Sequence, residues 1–128
     1  MIRFRVASSA LGEREVVHVH VYPDLEAMRA AGEAWHPDVP DQSDALGITQ
    51  ACTDEAGRAT LVVVRLAEGW LTPEIVAHEM HHAATALYGA HVGDRISRRA
   101  HLTHHNEPMT HLFSDLFARV VAHFESTP

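Results

Sequence analysis

The sequence predicts an α+β fold: a small, twisted, mostly antiparallel sheet of about three or four strands, packed on an N-terminal helix, a central helix and a C-terminal helix. Three observations predict it. Glu15–Tyr22 and Ala59–Leu66 are β-branched runs of strand length. Thr72–Gly89 carries helix start and stop signals around a one-sided apolar pattern. Met109, Phe113, Leu116, Phe117, Val120 and Phe124 recur at helical spacing near the C-terminus.

The bulk numbers set the frame. The 128 residues suffice for a single domain, 1–128, with a core that needs no staples. Net charge is −7, with ten Arg and no Lys, and the Arg are scattered apart from Arg95, Arg98 and Arg99. That is no nucleic-acid footprint. No run reaches membrane-spanning length, and Met1–Val6 lacks the apolar run of a signal peptide, so a cytoplasmic setting is expected. Cys52 is the only cysteine, which excludes an intramolecular disulfide and a Cys-based zinc site. Twelve His are dispersed but cluster at 78–82 and 101–111, which points to a metal.

In chain order, Arg3–Ala7 alternates weakly and reads as a short first strand, and Ser8–Arg14 as a turn. In Glu15–Tyr22, Val17, Val19 and Val21 share one face, expected to meet the core, and His18 and His20 share the other, expected to be solvated. Asp24 is placed to cap a helix with Leu25, Met28, Ala31 and Trp35 on its apolar stripe, closed by Trp35-His36-Pro37. Residues 37–44 form an acidic, Pro-rich loop. Leu46–Cys52 and Ala59–Leu66 flank a turn and are expected to pair as an antiparallel hairpin.

Thr72 is the expected N-cap of the next helix, with Pro73 at its first position and Gly89 as its C-cap. Val76, Met80, Ala83 and Leu87 cluster on one side, and His78 and His82 lie opposite. The stretch 89–106 reads as a polar connection with a helical turn around 96–102. Asn106 then caps a last helix, whose outer side carries Glu107, His111, Ser114 and Ala118.

The chemistry sits on the central helix. His78-Glu79-Met80-His81-His82 is an H-E-x-x-H motif. Four residues rotate a helix by about 400°, so His78 and His82 lie about 40° apart and reach one metal ion. Glu79 projects beside them as a general base. A catalytic zinc needs three protein ligands and an open position. Glu107, 25 residues after His82 at the start of an amphipathic helix, is the leading third ligand. His104 and His105 are its rivals, and His101, His91 and Asp94 stay open.

The strand Ala59–Leu66, the motif helix and the downstream Asn106-Glu107 pair resemble the gluzincin group of zinc metallopeptidases. The chain is also similar to the minimal metallopeptidase-like domains of phages and bacterial mobile elements. The resemblance covers residues 46–124 and implies a zincin-like fold with one catalytic zinc on His78, His82 and Glu107. It implies a peptide or protein substrate, attacked by a zinc-activated water with Glu79 as base. It makes Ala59–Leu66 the strand bordering the cleft, with a free edge for an extended peptide. The residues alone leave open a central, buried strand. His104, His105, His111 and Tyr88 are candidate oxyanion donors.

There are departures from the family pattern. Such enzymes often carry an Asp four residues after the ligand Glu. Here that position is His111, and Asp115 lies one turn further. The metzincin pattern fails, because Tyr88 stands where its third His belongs. The alternative function is a non-catalytic binding module, either zinc-stabilised or a degenerate protease.

Overall fold

Valines at alternate positions decide which way the sheet faces. A computed structural model of the chain describes residues 1–35, 43–55, 59–92 and 107–126. Four strands form one sheet: β1 (Ile2–Ser8), β2 (Glu15–Tyr22), β3 (Ile48–Thr53) and β4 (Ala59–Ala67). Their spatial order is β1-β2-β4-β3. β1/β2 and β3/β4 are antiparallel, and β2/β4 is parallel. The sheet is therefore mixed. Its one parallel pair brackets α1 (Leu25–Trp35) and β3, the long connection that parallel strands require.

Side chains alternate across the strands, so each face has its own helix layer. Val17, Val19, Val21, Val62, Val64 and Leu66 form one face, buried against α2 (Pro73–Val92) and α3 (Glu107–Glu125). Phe4 stacks on His123, with ring centroids 3.7 Å apart, and fastens β1 to the end of α3. On the other face Tyr22, Ile48 and Ala67 pack around Met28 of α1.

The α1 face also holds a buried cation. Arg65, 7% exposed, donates from Nε to Gln50 Oε1 at 2.7 Å and from Nη1 to Tyr22 Oη at 2.6 Å, and its guanidinium lies 5.0 Å from the Trp35 ring centroid. Gln50 Nε2 in turn donates to the Gly32 carbonyl. Half-buried His20 adjoins this network. Burial, then the charges of Arg65, Arg3 and His18, push its pKa down from the ordinary histidine value.

Several sequence expectations hold. β2 has the expected bounds, β3 and β4 pair antiparallel, and the β2 valines are buried. Asp24 caps α1 by accepting from Ala27 N at 2.8 Å.

Others change. α2 does not stop at Gly89. It runs through it to Val92, because one glycine costs a helix only about 1 kcal/mol. The α3 stripe is rotated: Leu112, Leu116 and Val120 are fully buried, while Phe113, Phe117, Met109 and Phe124 are partly covered. Residues 37–42 of the acidic loop, residues 56–58 of the β3–β4 turn, the helical turn around 96–102 and the Asn106 cap lie outside the described residues. Among the described residues no helix is long and apolar enough to cross a membrane.

Candidate metal centre

α2 starts where its sequence says it should. Thr72 Oγ1 accepts from Ile75 N at 3.2 Å, and the Thr72 carbonyl accepts from Val76 N at 3.0 Å. Val76, Met80, Ala83, Ala84, Leu87 and Tyr88 then fix the rotation of the helix by burying its core side. That rotation decides the site. At about 100° per residue, His78 and His82 fall on the solvent side, and Glu79 falls about 100° from the centre of the core side, turned toward β3.

The two histidines converge. Their Nε2 atoms are 3.1 Å apart, with the rings at 82° to each other. Two zinc–nitrogen bonds of about 2.0–2.1 Å at a tetrahedral angle put the nitrogens about 3.3 Å apart. The pair therefore has the spacing of a two-point zinc chelate. Both imidazoles face solvent, His78 with 67% of its side chain exposed, so a metal can reach them.

Glu79 is the reverse case. Its side chain is 7% exposed, a carboxyl group buried next to an exposed histidine. Thr49 holds it. Along β3, Thr49 pairs with Val64 and so faces the α2 layer. Thr49 Oγ1 donates to Glu79 Oε1 at 2.7 Å, and the Glu79 main-chain oxygen lies 3.1 Å away. A hydroxyl has one proton, and the shorter contact, to the side-chain carboxylate, takes it. Oε2 is left over, 3.9 Å from His78 Nε2.

Behind the carboxylate is Gly47. A Cβ there would stand 2.6 Å from Glu79 Cγ and 3.0 Å from Oε2, so a side chain enters only if one of the two shifts. Thr49 and Gly47 are the residues of this candidate site that the sequence pattern missed. Each acts on a partner some 30 positions away, as the 30-residue separation of the Thr49–Glu79 bond shows, and no local signal marks such a contact.

The edge of the sheet also differs from expectation. β4 does not offer a free edge, because β2 and β3 pair with it on either side. Its long apolar run reflects burial on both faces. The edge strand beside α2 is β3. Between them lies a cleft of about 340 Å³, lined by Gly47, Thr49 and Ala51 on one side and His78, Glu79 and His82 on the other.

The structure thus brings together His78, Glu79 and His82. It does not add Glu107 to them. Glu107 is the exposed first residue of α3, and its Oε2 lies 3.4 Å from His111 Nε2 on the next turn. Among the described residues no three His, Cys, Asp or Glu side chains form a metal-binding group. Asp94, His101, His104, His105 and the His91 side chain lie outside the described residues.

Asp115 receives Arg119 Nε at 3.2 Å along its own helix. Tyr88 is buried in the main core cluster, and His111 is engaged with Glu107. His81 is exposed and meets Phe113 edge-on at 5.8 Å. No family model, curated protein or solved structure matches the chain.

Proposed function

We propose that the protein is a zinc-dependent metallopeptidase with a minimal zincin-like arrangement. The observation that carries this reading is the converging His78–His82 pair beside a buried, hydrogen-bonded Glu79. A structural zinc site has no need of a carboxylate that is held next to the ligands with one oxygen free. The donor set of two neutral imidazoles suits zinc. The third ligand has to come from outside the described cluster: Glu107, which stands apart from the pair at the start of α3, is the leading candidate, with His104 and His105 as the alternatives. When bound, zinc supplies Lewis acidity, which acidifies water and polarises a carbonyl.

The chain's own residues supply the rest. Thr49 orients the Glu79 carboxylate through Oε1 and leaves Oε2 to accept a proton from the attacking water. The same carboxylate then returns that proton to the leaving amine, so the residue ends as it began. The outer edge of β3, which no described strand pairs with, would take an extended peptide along the cleft and hold it by main-chain hydrogen bonds.

The test is cleavage of a peptide library by the zinc-loaded protein and by Glu79→Gln. Loss of cleavage in the variant, with zinc retained, supports the reading. Equal inertness of the two proteins on a broad panel removes its support.

A further inference from the structure

A second cavity adjoins the cleft, with lining residues in common. This cavity measures about 480 Å³, within the range of ligand sites, and shares Ala45, Gly47, His78 and Glu79 with the cleft. Its remaining walls are Leu46, Ile75 and Glu74. Leu46 is 40% exposed, one of few large apolar side chains so placed among the described residues. Covering it would remove apolar surface from water. Glu74 lies one helical turn before His78, about 6 Å along the axis. It is exposed and has no ion-pair partner among the described residues.

We propose that this cavity is a subsite for the substrate side chain next to the scissile bond, and that it selects a long side chain with an apolar stem and a cationic head, Lys or Arg. The proposal rests on the peptidase reading above. Long basic side chains lay their methylenes on apolar surface and send the charge to a polar rim. Leu46 and Ile75 offer the surface, and Glu74 offers the charge. The head would then sit beside Glu74, a helical turn from His78, where the carboxylate offsets the metal's own positive charge. A purely apolar side chain would use the walls and leave Glu74 idle.

The experiment uses capped octapeptides varied at one position among Lys, Arg, norleucine, Leu and Glu. Norleucine keeps the lysine stem without its charge. One arm measures kcat/KM with the zinc-loaded protein. The other measures Kd by fluorescence anisotropy with the zinc-loaded Glu79→Gln protein.

Lys and Arg should exceed norleucine by about fivefold in both arms, the reach of a solvent-exposed ion pair. Glu74→Gln should erase the difference, and Glu74→Lys should turn it toward the Glu peptide. Circular dichroism confirms that each variant is folded. Preference for norleucine or Leu over Lys, or a Lys preference that survives Glu74→Lys, overturns the subsite. Cleavage without basic preference overturns the subsite and leaves the peptidase standing. Glu74-dependent binding without any cleavage does the opposite. Neither cleavage nor binding sinks both.

Discussion

Gly47→Ala isolates the contact between the residue that leads into β3 and Glu79, the proposed general base. Gly47 is not among the glycines with positive φ, so alanine fits its backbone and the effect is steric alone. The added methyl would lie 2.6 Å from Glu79 Cγ and 3.0 Å from its Cδ. Ordinary carbon–carbon contact is about 3.5–4.0 Å, so something must move by about 1 Å. Glu79 cannot yield freely, because it is buried and bonded to Thr49 at 2.7 Å.

Overpacking of this kind costs about 1–3 kcal/mol. A shift of about 1 Å in a reacting group costs on the order of 100-fold in rate. Urea unfolding, chelator competition for zinc and steady-state hydrolysis read the three consequences. Stability should fall by about 1–3 kcal/mol. kcat should fall by about 100-fold. Zinc affinity should stay near wild type, because the methyl's three nearest neighbours belong to Glu79 and to neither imidazole. A variant as stable and as active as wild type would refute the close approach and the role given to it. Gly89→Ala is the control: it lies within α2 with nothing within 4 Å of its added methyl, and it should stabilise by about 0.5–1 kcal/mol.

Other outcomes follow from the same geometry. Thr49→Val keeps the shape and removes the donor to Glu79, so kcat should fall with KM little changed, and Thr49→Ser should recover most of the rate; equal loss in both variants would count against orientation by the hydroxyl. Glu107→Gln should weaken zinc binding by on the order of 100-fold if Glu107 is a ligand. Unchanged affinity, with loss in His104→Ala or His105→Ala instead, would move the third ligand.

His20 bears on stability rather than catalysis. Its folded pKa is depressed by burial and by Arg65, so the unfolded chain takes up the proton first as pH falls. Its share of stability is present above the ordinary histidine pKa of about 6.5 and is lost as pH drops through the folded value. His20→Gln should therefore flatten the stability profile below about pH 6.5, and an unchanged slope there would contradict the assignment.

The sequence carried the local parts of this structure and little of what joins them. His78, Glu79 and His82 are spaced by one helix, so their juxtaposition follows from periodicity. The valines of β2 likewise follow from alternation. Strand order does not. Ala59–Leu66 reads the same at an edge as in the middle, and its parallel pairing with β2 reaches across α1 and β3. Glu79 read only as a base beside the His pair, and its burial, which comes from α2 turning it onto β3, has no local sign. Thr49 and Gly47 were invisible because the residue they serve lies in a different element. Leu112 was missed because the aromatic residues of α3 drew the apolar stripe toward themselves, although in the fold the smaller Leu112, Leu116 and Val120 are the ones that reach the floor of the core.

The central claim is that the His pair holds a catalytic metal, and a zinc titration of metal-free protein, with hydrolysis of a peptide pool read in the same samples, tests it most directly. Zinc uptake and hydrolysis should rise together and saturate at about one equivalent per chain, leaving the open coordination position that catalysis needs. His82→Ala should abolish both. Absence of zinc uptake, or tight uptake with no hydrolysis at saturation, would contradict the account.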